Sequence, residues 1–213
     1  FGISTGETTI DLEKVIKRKD EIVKKLVKGI EFLLEKNKIE IIRGEGEVTE
    51  PGRIKIGSRE IQSRAIILAT GSVPACLPGI KFDGEKFLSS DDALNLCEIP
   101  KQIDIVGGGV VGIHFAVIYS ALGSEVILHE ALPEILPGLD EEVVAGIKRI
   151  LKRRKVTIQT GTPFNPSKTS GKALICIGRS PNLTGLEKLK LKLDGKRVWV
   201  NKKMETSAPR VYA

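Results

Sequence analysis

The run Ile103-Asp104-Ile105-Val106-Gly107-Gly108-Gly109-Val110-Val111-Gly112-Ile113-His114 constrains the fold more than any other stretch of this chain. A β-prone apolar segment meets three consecutive glycines and continues as an apolar segment of helical character. About 20 residues on, a second strand-like run, Glu125-Val126-Ile127-Leu128-His129-Glu130, ends in a carboxylate. A dinucleotide pocket needs this order. Gly107 permits the tight turn, Gly109 lets backbone approach a pyrophosphate, and Gly112 lets helix and strand pack closely. Gly108, Val110, Val111 and Ile113 complete the turn and the start of the helix, whose unpaired N–H groups carry a partial positive charge towards phosphates. Glu130 is placed to accept hydrogen bonds from ribose hydroxyls. Taken alone, the glycines also fit a tight turn in an ordinary α/β unit.

The chain has 213 residues, enough for one good core or two small ones. Only 4% of them are aromatic, which argues against a base-stacking surface for nucleic acid. The formal charge of +7 is concentrated at Lys148-Arg149 and Lys152-Arg153-Arg154-Lys155. Those cations share a segment with Val143, Val144, Ile147, Ile150 and Leu151 at helical spacing. They read as the solvated face and C-terminal end of an amphipathic helix, where cations suit the helix dipole. No apolar run reaches membrane-spanning length. Neither a nucleic-acid nor a membrane partner is therefore expected. Cys76, Cys97 and Cys176 lie far apart with no CxxC or CxxxxC spacing, so neither a metal site nor a local redox pair is expected. A reducing compartment fits this usage: the cytoplasm, or the mitochondrial matrix in a eukaryote. The first residue is Phe1 rather than Met, which points to a fragment or a processed product.

From about Asp11 to Asn37 an apolar stripe runs through Leu12, Val15, Ile16, Ile22, Val23, Leu26, Val27, Ile30, Leu33 and Leu34. A two-stranded coiled coil would show the same stripe, but this one is shorter than four heptads and interrupted at Lys19, which predicts a long helix packed on a sheet. Short β-prone runs follow at Ile39–Ile42, Glu45–Val48, Arg53–Ile56 and Ala65–Leu68, with Pro51-Gly52 and Gly57-Ser58 as turns. Their spacing predicts an antiparallel meander. From Ser89 the texture becomes βαβ, with a helix over Asp140–Leu151 and strands at Val156–Gln159 and Ala173–Ile177.

Four motifs occur in one order: Ile66-Ile67-Leu68-Ala69-Thr70-Gly71-Ser72, the glycine loop, Ile175-Cys176-Ile177-Gly178-Arg179-Ser180-Pro181-Asn182, and Thr206-Ser207-Ala208-Pro209-Arg210-Val211-Tyr212-Ala213. This set resembles the two-dinucleotide flavoprotein disulfide oxidoreductases, and within them the dihydrolipoamide dehydrogenases, over nearly the whole chain. The resemblance implies an α/β fold: a Rossmann-like NAD-binding domain, with a parallel sheet and helices, inserted in part of a discontinuous FAD-binding domain that carries a small antiparallel meander. The expected boundaries are 1–80 for the first FAD-domain part, 81–181 for the NAD domain, and 182–213 for the return to the FAD domain.

The same resemblance assigns roles. Thr70, Gly71 and Ser72 would lie against FAD, and Gly46 matches a position whose backbone approaches the FAD nucleotide. A bulge or bend explains Gly46 equally well. Gly107–His114 and Glu130 would hold NAD, and Gly178 matches a position near its nicotinamide half. Glu130 favours NAD over its 2′-phosphorylated form, and no Lys or Arg lies between Glu130 and Lys148 to receive that phosphate. The implied activity passes electrons from dihydrolipoyl groups through a disulfide and FAD to NAD⁺. The implied partners are the lipoyl-bearing proteins of 2-oxo acid dehydrogenases or glycine cleavage, with a homodimer at full length. An NADH oxidase, another NADH-dependent disulfide reductase and a non-catalytic NAD-binding module are the alternatives.

The family's redox cysteine pair and its C-terminal His–Glu pair have no counterpart here, so no catalytic residue is assigned in this chain. The segment between Thr162 and Ala173 is much shorter than the family pattern. His114 replaces the usual glutamate directed towards nicotinamide and flavin, either as an altered site group or as a helix-packing residue. Asp104 interrupts a strand that should be apolar on both faces and therefore needs a buried partner or a solvated position. His129 is expected simply to face away from Glu130.

Overall fold

The computed structural model describes Gly6, residues 9–169 and residues 171–213. Helix α1 (Leu12–Lys36) precedes strands β1 (Gly46–Glu50), β2 (Arg53–Ile56) and β3 (Arg59–Gln62), then β4 (Ile66–Ile67) and β5 (Ser72–Pro74). Next come β6 (Phe87–Leu88), α2 (Ser90–Ala93), β7 (Gln102–Val106), α3 (Val110–Ala121), β8 (Glu125–Glu130), α4 (Glu141–Arg153), β9 (Thr157–Thr160) and β10 (Lys172–Ile175). The chain ends with β11 (Arg179–Pro181), β12 (Leu193–Asp194), β13 (Arg197–Val198) and β14 (Val211–Tyr212). It divides into two compact units. One comprises the chain up to Gly29 with Pro74–Gly178, and the other comprises Ile30–Val73 with Arg179–Ala213.

The first unit is built on a parallel sheet of order β6-β10-β7-β8-β9. Side chains alternate across a strand, so each central strand feeds two cores. Ile103, Ile105, Val126, Leu128 and Leu174 point to one face and meet Ile113, Ala116 and Tyr119 of α3 with Val144 and Leu151 of α4. Val106, Ala173 and Ile175 point to the other, under Leu77, Phe82, Phe87 and Phe164. Asp140 caps α4 by accepting from the Glu142 N–H at 2.9 Å, and Lys152 and Arg153 close its last turn, as the charge pattern predicts. Ser89 starts α2 with a capping box completed by Asp92.

The second unit holds the meander β1-β2-β3, all antiparallel. It also holds the parallel pair β14-β4, the hairpin β12-β13 and the pair β11-β5. Val48, Ile66, Leu186, Ala208 and Val211 form its core.

Two expectations fail. Ile39–Ile42 is not a strand, whereas β3, with Ile61 as its single apolar residue, is one. An exposed edge strand needs no hydrophobic alternation, so periodicity misses it. The stripe of α1 is largely uncovered: no residue of the helix is buried, Leu12, Ile16 and Leu34 are half-buried, and Val15, Ile22, Val23, Leu26, Val27, Ile30 and Leu33 stay 44–63% exposed. An apolar period records that a face wants cover but not what supplies it. Among the described residues no helix is long and apolar enough to cross a membrane.

Candidate dinucleotide sites

The glycine loop leaves β7 at Gly107, where φ is +111°. A Cβ there would sit 2.4 Å from the Cys176 carbonyl oxygen, so both backbone conformation and packing demand glycine. Gly112 is fixed still more tightly, because its Cβ would collide with the Gly107 carbonyl oxygen. Gly108 is crowded by Ile135 and Glu130. Gly109 differs from all three. Its φ of −76° and ψ of −177° suit any residue, and no described atom lies within 4 Å of its would-be Cβ.

Gly109 is also the N-cap of α3, and no side chain among the described residues caps that end. The first helical bond is donated by Ile113 to the Gly109 carbonyl at 3.0 Å, leaving the preceding N–H groups directed out of the helix. Val110, Val111 and His114 are exposed on this first turn, while Ile113 is buried beneath it.

Consecutive residues at the end of β8 hold the loop in place. The His129 carbonyl accepts the Gly107 N–H at 2.8 Å, and Glu130 Oε2 accepts the Gly108 N–H at 2.7 Å. Glu130 Oε1 accepts the Leu132 N–H at 2.9 Å. An ionised carboxylate offers roughly four lone-pair directions, so Glu130 keeps acceptor capacity for two further donors. Asp104 is 4% exposed and does find partners: His129 Nε2 at 2.7 Å and the Thr169 hydroxyl at 2.9 Å. His129 faces away from Glu130, and in doing so lands on Asp104. Sequence reading flagged Asp104 but missed this pairing; the signal was two polar residues on neighbouring strands with the same inward parity.

Gly178 has φ +107°, and its carbonyl accepts the Ala75 N–H at 3.0 Å. In the second unit Thr70, Gly71 and Ser72 are joined to the segment after it. Thr70 Oγ1 donates to the Asn182 carbonyl at 2.6 Å, and the Asn182 N–H donates to the Gly71 carbonyl at 3.0 Å. Arg179 Nε donates to Ser72 Oγ at 2.7 Å. Thr70 and Gly46 then meet on one open cleft of about 1100 Å³, with Arg43, Lys55, Asn182 and Gly185 also in its walls. A Cβ on Gly46 would make only an ordinary contact, 3.5 Å from Ile54 Cγ2. Gly185, by contrast, has φ +81° and a would-be Cβ 2.6 Å from the Gly46 carbonyl oxygen, so it is glycine for the protein's own packing.

The pyridine nucleotide-disulphide oxidoreductase family model matches residues 3–213. The chain belongs to that family. Members of this family work with FAD and a pyridine nucleotide. The chain is 37% identical to a dihydrolipoyl dehydrogenase of Thermus scotoductus, with 100% of the chain and 51% of that protein covered. It is 34% identical to a dihydrolipoyl dehydrogenase of Acholeplasma laidlawii, with 100% of the chain and 69% of that protein covered. Among solved structures, the HOCl-induced flavoprotein disulfide reductase RclA of Escherichia coli superposes with a TM-score of 0.83 at 25% identity, covering 95% of this chain and 52% of that one. The chain thus spans about half the length of several relatives it matches. Alignment over 233–240 positions, against 213 residues here, also means that relatives carry internal segments this chain lacks.

Proposed function

We propose that this chain supplies the NAD site and one side of the FAD site of a dihydrolipoyl dehydrogenase. Gly109 carries this reading. Nothing in the chain's own backbone geometry or packing requires a glycine there, yet it stands at the uncapped N-terminus of α3. A side chain is missing where a pyrophosphate would lie against the helix end. The Gly109, Val110, Val111 and Gly112 N–H groups would then face the phosphates, and Ile113 would anchor the turn from below. Glu130 would accept the two adenosine ribose hydroxyls with its spare lone pairs and repel a 2′-phosphate. His114 and Gly178 would border the nicotinamide end. In the second unit the backbones of Gly46, Thr70, Gly71 and Ser72 would line the FAD nucleotide.

Bound FAD supplies two-electron transfer between a dithiol and NAD⁺, which is the chemistry the family name couples. The chain's own residues bind and orient; they neither form nor break the sulfur bonds. The electron donors are dihydrolipoyl groups on carrier proteins of 2-oxo acid dehydrogenases or glycine cleavage. The full-length protein is a homodimer in the cytoplasm or the mitochondrial matrix. A second reading, an NADH-consuming disulfide reductase, draws on the likeness to RclA.

Titration with NADH and NADPH, followed by nicotinamide fluorescence, tests the proposal. The chain should bind NADH and discriminate against NADPH, and Gly109→Val should abolish binding while leaving the chain folded, with the midpoint lowered only by the loss of a favourable N-cap residue, about 1 kcal/mol. Equal NADH affinity in the Gly109→Val chain would overturn the reading.

A further inference from the structure

We infer that the buried Asp104–His129 pair is a positioning device for the glycine loop, acting through the end of β8. Both acceptors that hold the loop sit on consecutive residues there: the His129 carbonyl on Gly107 and the Glu130 carboxylate on Gly108. Any fraying of the last two residues of β8 would release both amides together. β9 pairs both residues along the other edge of β8, at Gln159 and Thr160, and the His129 side chain ties the strand end to β7. In the sheet register His129 lies beside Val106, and Ile127 lies beside Asp104. The 2.7 Å contact from His129 Nε2 to Asp104 Oδ1 therefore runs diagonally back across β7, bracing the strand end against sliding along its neighbour.

The brace extends to the next strand. Thr169, three residues before β10, donates its hydroxyl to Asp104 Oδ2 at 2.9 Å. Ala173 is the partner of Asp104 on β10, and its small side chain leaves room for the carboxylate. The Phe164 ring meets the His129 ring edge-on at 5.0 Å between centroids. The short connection between β9 and β10 thus closes on the pair and holds both of its members. Two donors on one carboxylate make the buried charge tenable and fix its direction, which an aliphatic pair could not do. Asp104 and His129 touch no part of the proposed nucleotide position, so they are positioning residues. Their consequence for NAD rests on the function proposed above; their hold on the loop amides does not.

Amide hydrogen exchange, read residue by residue on the full chain, tests the inference. His129→Leu should speed exchange of the Gly107 and Gly108 amides by about tenfold or more relative to Ile105 and Leu128 in the same strands. His129→Gln, which keeps an N–H donor for Asp104, should restore protection. If His129→Leu is too unstable to study, Asp104→Val/His129→Leu removes the buried charge and should show the same selective loss in a folded sheet. NADH affinity should fall by about tenfold in the variants whose loop amides loosen. Unchanged loop amides, or acceleration spread evenly over the sheet, would mean that the pair serves stability alone and would overturn the inference. A wild-type chain that binds no NADH would instead refute the proposed function, and the amide comparison would still decide the brace.

Discussion

On one face of the parallel sheet Ile103, Ile105, Val126 and Leu128 meet the apolar undersides of α3 and α4, and on the other Asp104 and His129 lie beside Val106, Ala173 and Ile175 under Phe164. The two faces are one residue apart along every strand, so they share backbone, register and hydrogen bonds. They differ in what a mistake would cost. The aliphatic face tolerates any rearrangement that keeps volume and burial, because dispersion and hydrophobic burial have no direction. The polar pair tolerates almost none, because a buried carboxylate needs donors at fixed angles. Stability resides on the first face, and directional precision next to the glycine loop on the second.

The largest effects separate these roles. His129→Leu leaves Asp104 buried with Thr169 as its remaining donor and should cost about 1–3 kcal/mol in urea unfolding. Adding Asp104→Val should return most of that loss, since replacing both partners of a buried hydrogen bond by apolar groups of similar shape is nearly neutral. Leu128→Ala, one residue before His129 and fully buried, should cost about 2–5 kcal/mol through the lost burial and the cavity left behind. No polar substitution elsewhere on that face should repair it. If the double variant stays as unstable as His129→Leu, the second face contributes to stability in its own right and the contrast between the faces disappears.

How much of this was legible beforehand depended on whether a feature is local. Gly107, Gly112 and Glu130 stood out because one strand–turn–helix–strand unit fixes their spacing, and the parallel order of β7, β8 and β9 followed from it. Asp104 announced itself as an anomaly in an apolar strand, but its partner could not be read from sequence. His129 lies 25 positions away and Thr169 lies 65 away, and pairing them requires the sheet register. Gly109 was assigned to the pyrophosphate by its place in the glycine spacing alone. A conformation of φ −76° and an open Cβ direction support that assignment by showing that the chain's own packing does not require a glycine there. The meander was visible through its turns, whereas β3 was not, because an exposed edge leaves no apolar trace.

A smaller effect concerns Tyr119, whose hydroxyl donates to the Ala93 carbonyl at 2.8 Å in the core beside α3. Tyr119→Phe removes the donor and leaves one buried carbonyl unpaired, so it should cost about 1 kcal/mol at neutral pH. Its effect should be independent of any change at His129, because the two side chains lie on opposite faces. A double-mutant cycle with His129→Leu checks this, and a coupling well above about 0.5 kcal/mol would show that the faces communicate.

The smallest expected effect at neutral pH is that of Cys176→Ala, and it grows only on the alkaline side. Burial pushes the Cys176 thiol up to about 12 from its usual 9.0, and burial, with Cys176 nearby, pushes the Tyr119 phenol up to about 12 from 10.0. Both groups hold their protons more tightly folded than unfolded. Their contribution is therefore fully present below the unfolded values and is lost as pH rises from about 9 towards 12, where the unfolded chain releases protons that the folded chain retains. Unfolding midpoints measured across that range should fall with pH in the parent chain. The slope should be shallower in Cys176→Ala from about pH 9 upwards, and in Tyr119→Phe only from about pH 10 upwards. A parent chain whose midpoint stays level through this window would mean that water reaches the thiol and the phenol, and that the aliphatic face is less dry than its packing indicates.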